Sequence, residues 1–135
     1  MKKLLSVKYS SGAFNTAMLV LRLTLGIMIM HHGYEKLINF NQTAGFMPSL
    51  FGMSTTISAA LAIFAEFFCG LFVVIGLFTR LATIPIIITL CVALFKVHSG
   101  HVFEEGERAV IYIGGFIVLL LVGAGRVSID GMTGK

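Results

Sequence analysis

The chain has 135 residues, of which 57% are hydrophobic and only 12% charged, and its mean hydropathy is +0.97. A soluble domain carries about 25% charged residues, so half that fraction in long uncharged runs indicates an integral membrane protein and excludes an ordinary water-soluble domain. The net charge of +4 forms no cluster or stripe, which excludes nucleic-acid binding and reads instead as membrane topology.

A basic leader with Lys2, Lys3 and Lys8 precedes the first apolar run. That run has no small-residue cleavage site and is interrupted by Arg22, so it is read as a span that stays and not as a signal peptide. The first span covers about residues 14–37 and ends in the polar knot His31-His32-Gly33-Tyr34-Glu35-Lys36. An uncharged segment with the helix breaker Pro48 follows, suited to lying in the interface or dipping between helices where protein covers its backbone. Ser54 or Thr55 can cap the second span, about residues 56–77, and Gly76 is placed to end it. Thr79 is the expected N-cap of the third span, about residues 80–97. A polar, acidic connection leads to the fourth span, about residues 108–124, and a glycine-containing tail. The expected fold is all-α, a single-domain four-helix transmembrane bundle.

Lysine and arginine distribution orients it. Lys2, Lys3, Lys8, Arg80, Arg126 and Lys135 fall at one end, while Lys36, Lys96 and Arg108 lie at the other beside Glu35, Glu104, Glu105 and Glu107. The positive-inside rule places both termini in the cytoplasm.

Two charges, Arg22 and Glu66, fall deep within the apolar runs. At about 1.5 Å rise per residue, Arg22 is about 12 Å and Glu66 about 18 Å from the cytoplasmic end of its span, a gap an arginine side chain can bridge. Opposite charges in lipid are expected to pair, because an unpaired ion there costs several kcal/mol. Tyr112 falls near the depth of Glu66. The three residues read either as a polar pocket that binds a headgroup or moves a proton, or as an internal ion pair that fixes packing. The same count brings His31, His32, His98, Glu107 and Arg108 to one level about 24–27 Å in, with Lys36 slightly further out. This is either a proton-exchanging cluster, a metal site, or the wet polar rim of any bundle. Cys69 and Cys91 are equidistant from the turn at Arg80; they read as small apolar fillers, and a redox pair only if they face each other. Gly26 and Gly33 share a face with Arg22 and Lys36, and Ala59, Ala62, Glu66 and Gly70 share another, marking close helix contacts that point both charges into the bundle.

Three motifs carry a family resemblance. Leu21-Arg22-Leu23 with Gly26, His32-Gly33 and Lys36-Leu37; Ala65-Glu66, Gly70 and Gly76-Leu77-Phe78-Thr79-Arg80-Leu81-Ala82; and Gly125-Arg126-Val127-Ser128-Ile129-Asp130, in this order, resemble the DoxX family. The resemblance implies a multi-pass protein of the bacterial inner membrane. It also implies kinship with the DoxD-type membrane subunit of thiosulfate:quinone oxidoreductase, and with a DoxX-like protein that bridges a superoxide dismutase and a sulfurtransferase. The expectation is therefore a quinone- or thiol-linked redox subunit. No flavin, haem or iron–sulfur motif is present, so the expected carrier is a quinone or belongs to a redox partner protein. The alternatives are a non-enzymatic organiser that docks partners, or small-solute permeation by a homo-oligomer.

Overall fold

The computed structural model describes residues 1–49, 51–97, 103 and 106–134, and these are helical with no strand among them. The first helix, α1 (Ser11–Ile38), begins where the Ser10 hydroxyl accepts the Ala13 N–H. A short helix, α2 (Phe40–Phe46), lies across its far end, tied by the Thr43 hydroxyl donating to the Lys36 carbonyl. The second long helix is continuous but not uniform. It comprises α3 (Thr55–Ile63), a π-helical turn (Phe64–Phe68) and α4 (Cys69–Ile75). Ser54 caps it as expected, its hydroxyl accepting the Ile57 N–H at 3.2 Å. Gly76, at φ +72, ends it in the left-handed conformation that glycine adopts without steric cost.

The third helix, α5 (Thr79–Val92), continues through a second π-turn (Ala93–Val97). Its start corrects the expected Thr79 cap. Phe78 is the residue that turns into the helix, at φ +47, and its N–H and that of Thr79 are accepted by the carboxylate of Asp130, from the C-terminal motif. A carboxylate placed on two orphan amides is a stronger acceptor than a hydroxyl, and it also suits the positive end of the helix. α6 (Glu107–Val122) packs along α5, and α7 (Ile129–Met132) closes the tail.

Among the described residues, three helices are long and apolar enough to cross a membrane, namely Ser11–Ile38, Thr55–Ile75 and Thr79–Lys96. The expected fourth span, α6, has 16 residues, about 24 Å of helix against a hydrocarbon core of about 30 Å. Met18, Leu25, Ile29, Val73, Ile86 and Phe116 are among the side chains that form the core between α1, α4, α5 and α6. Small residues let the helices meet, as the sequence indicates. A methyl group at Gly26 would come within 2.8 Å of the Val74 side chain, and one at Gly33 within 2.5 Å of the Phe67 backbone nitrogen. One at Gly70 would lie 3.2 Å from the Met30 nitrogen. Cys69 and Cys91 are free thiols, the first buried and the second partly so.

Candidate functional site

Those glycine contacts fix a register. Antiparallel neighbours Gly26–Val74, Met30–Gly70 and Gly33–Phe67 are pairs whose numbers add to 100. Arg22 is therefore level with the turn at Phe78, and Glu66 is level with Tyr34, close to Lys36. The expected Arg22–Glu66 pair does not form. A depth count that starts both spans at one level misses this, because α1 begins at Ser11 and overhangs the end of its neighbour by about 14 residues, roughly 21 Å.

Arg22 is instead the centre of a structural junction at the end of the molecule that holds the termini. It is 3% exposed, and its two guanidinium NH₂ groups donate to the carbonyls of Ala124 at 2.8 Å and Val127 at 2.7 Å. Gly76 sits against this fork, where a methyl group would lie 3.0 Å from the guanidinium and 2.4 Å from the Ser128 Cβ. Around it, Asp130 donates its N–H to the Gly76 carbonyl, Ser128 caps α7, and the Asn15 side chain accepts the Arg126 N–H. Arg80 donates to the Val122 carbonyl at 3.2 Å. The motif residues Arg22, Gly76, Thr79, Arg80, Arg126 and Asp130 thus meet in one place. The reason is architectural, since the returning tail supplies the acceptors that a buried guanidinium needs.

Glu66 occupies a different site. It is 4% exposed and lies on the π-turn, a local widening that is frequent at functional positions. Its Oε1 accepts from the Lys36 ammonium at 2.7 Å, while its Oε2 is buried and has no partner among the described residues. Lys36 is one-third exposed. It also lines a groove of about 460 Å³ bounded by Asn39 and Thr43 at the polar edge and by Met47, Ala62 and Val92 on apolar walls. The Lys36 ammonium, held by the buried Glu66 carboxylate and lining this apolar groove, can donate to a polar head on an apolar body.

Tyr112 is buried on α6, within electrostatic reach of Glu66 and Arg108. The half-buried His32 presents its ring edge-on to it at 6.1 Å between centroids. His31 lies beside His32 and contacts the Glu35 carboxylate at 3.3 Å, both exposed. Glu107 and Arg108 open α6 and are exposed. His98 lies outside the described residues, and among those described no group of three His, Cys, Asp or Glu side chains is placed to hold a metal. Gly33 and Gly70 belong to the α1–α4 crossing that presents Lys36 to Glu66. Sequence reasoning missed the Lys36–Glu66 pair. Its signal was Lys36 lying one turn beyond the small residue Gly33, which the crossing places level with Phe67.

The sequence model described as DoxX matches residues 17–99. The inner membrane protein YphA of Escherichia coli (strain K12) is 26% identical over 122 residues, covering 84% of this chain and 87% of that protein. No solved structure matches the chain.

Proposed function

The chain belongs to the DoxX family, and from that premise we propose that it is a redox-linked subunit of the bacterial inner membrane that binds a quinone headgroup beside Lys36 and Glu66. The inner-membrane placement follows the similarity to YphA and the three apolar helices. α6 is the fourth crossing, and both termini face the cytoplasm, in keeping with the basic residues at that end.

The observation that carries the binding site is the buried, unpartnered Oε2 of Glu66 next to the Lys36 ammonium at the groove. A quinone carbonyl is an acceptor that the Lys36 ammonium can meet, the hydroxyl of the reduced quinol is a donor for the Glu66 Oε2, and the apolar walls suit a ring and an isoprenoid tail. Reduction of a quinone takes two electrons and two protons. The chain has no redox-cofactor motif, so the electrons come from a donor on a partner protein. Glu66 and Lys36 hold the protons at the ring oxygens, and His31 and His32 connect that site to the outer surface.

The test is native mass spectrometry of protein purified in mild detergent, with the extracted lipids identified. Wild-type protein should retain a quinone at one per chain, and Lys36→Met and Glu66→Gln should each lose it at least tenfold while the protein still accumulates. Wild-type protein that carries phospholipid alone, with added quinone not retained, refutes the proposal and favours the organiser that docks partner proteins.

A further inference from the structure

A second pocket, of about 830 Å³, opens at the opposite end of the bundle, and the quinone reading makes no use of it. Arg80 and Arg126 both line it, and both are exposed. Asn15 holds Arg126 in place by accepting its backbone N–H at 2.9 Å. The negative group in the lining is Asp130, whose two carboxylate oxygens are turned to the Phe78 and Thr79 amides. Thr79 also lines the pocket; it is fully buried, and its hydroxyl oxygen has no partner among the described residues. Leu81 and Val122, exposed apolar residues at 67% and 39%, line the same pocket.

We propose that this pocket binds the phosphate of an anionic phospholipid. Arg126 supplies the planar donor fork that phosphate oxygens favour, Arg80 adds the guanidinium N–H groups that its single bond to the Val122 carbonyl leaves over, and the Thr79 hydroxyl is a further donor at the pocket wall. The apolar flank at Leu81 and Val122 receives the first carbons of the acyl chains, which a free phosphate does not have. The lysines at positions 2, 3 and 8 precede α1 at the same end and add to the attraction for an anionic surface. The inference stands on its own residues and does not depend on quinone binding.

The experiment measures thermal protection and native-mass-spectrometry retention of purified protein in a neutral detergent. The probes are phosphatidylglycerol, phosphatidylcholine and inorganic phosphate. Phosphatidylglycerol should raise the melting temperature and remain bound, and the other two should not. Arg126→Gln, whose side chain is exposed, should weaken retention of phosphatidylglycerol about fivefold. Arg80→Gln/Arg126→Gln should abolish it, and Arg80→Lys, which keeps the charge and loses the planar fork, should keep about half of it. Lys96→Gln, on an exposed residue near the other end of α5, should change nothing. Equal protection by inorganic phosphate would show a free-anion site and overturn the lipid assignment. Retention of phosphatidylglycerol by Arg126→Gln and the double variant at wild-type levels would overturn the pocket itself.

Discussion

Replacing Arg22 by alanine is expected to unfold the junction at the terminal end without acting on the Glu66 site. The guanidinium makes two short bonds, to the carbonyls of Ala124 and Val127 at 2.8 and 2.7 Å. Hydrogen bonds from a charged donor contribute about 1.5–3 kcal/mol each, so the variant loses roughly 3–6 kcal/mol. The loss is set largely by the two carbonyls left without a donor in a dry setting. For a chain of this size that corresponds to a fall in melting temperature of roughly 10–20 °C. Arg22→Lys has one ammonium for two acceptors and no planar fork, and should recover about half of the loss. The assay is thermal unfolding of detergent-purified protein, followed by helical circular dichroism, alongside the quinone retention described above. The reasoning is refuted if Arg22→Ala melts within about 2 °C of wild type yet loses quinone, because Arg22 would then be a ligand-binding group and not a staple.

Gly33→Ala should be among the most damaging single methyl additions, since its Cβ would lie 2.5 Å from the Phe67 nitrogen and must push two helix backbones apart. A loss above about 2 kcal/mol is expected in the same unfolding assay. Gly114→Ala has nothing within 4 Å of its Cβ and should be neutral or stabilising by up to about 1 kcal/mol. Asp130→Asn keeps one acceptor for the Phe78 and Thr79 amides and replaces the other with a donor. It should cost about 1–2 kcal/mol, and amide hydrogen exchange should speed up at the first turn of α5 first.

The helices and their contact faces are legible in the sequence because they depend on local periodicity. Gly26, Gly33 and Gly70 announce a close crossing, and they make one. The relative slide of two helices is a different kind of quantity. It depends on where each begins, and the overhang of α1 past Gly76 moves Arg22 away from Glu66 by several turns. Capping misled for a similar reason. Thr79 is the local candidate for the start of α5, while the acceptor that serves that start, Asp130, lies 51 residues further along the chain. The π-turn at Phe64–Phe68 has no signature in its residues, Phe-Ala-Glu-Phe-Phe, and only the surrounding packing shows it. Of the candidate site, Glu66 and Tyr112 are legible as polar groups inside apolar runs and Lys36 as part of the polar knot that ends the first span, but not which of them meet.

The two deep charges differ in what their surroundings leave undone, and that difference separates scaffold from site. Both guanidinium NH₂ groups of Arg22 are taken up by carbonyls of the chain, so a ligand would have to compete with bonds the fold needs. Its remaining nitrogen, Nε, is buried and without a partner among the described residues, and Arg22 lines neither pocket. Among the described residues, Glu66 has a partner on one oxygen only, a lysine that is itself one-third exposed and lines a groove. A buried acceptor costs about 1–3 kcal/mol if it stays unpaired, so a chain that retains one beside an opening gains from whatever fills it. The same criterion selects Thr79 at the other end, a buried hydroxyl lining a pocket between two arginines. On the two proposals above, unfilled hydrogen-bonding capacity at a pocket, more than depth in the membrane or charge alone, marks the positions where this bundle would meet other molecules.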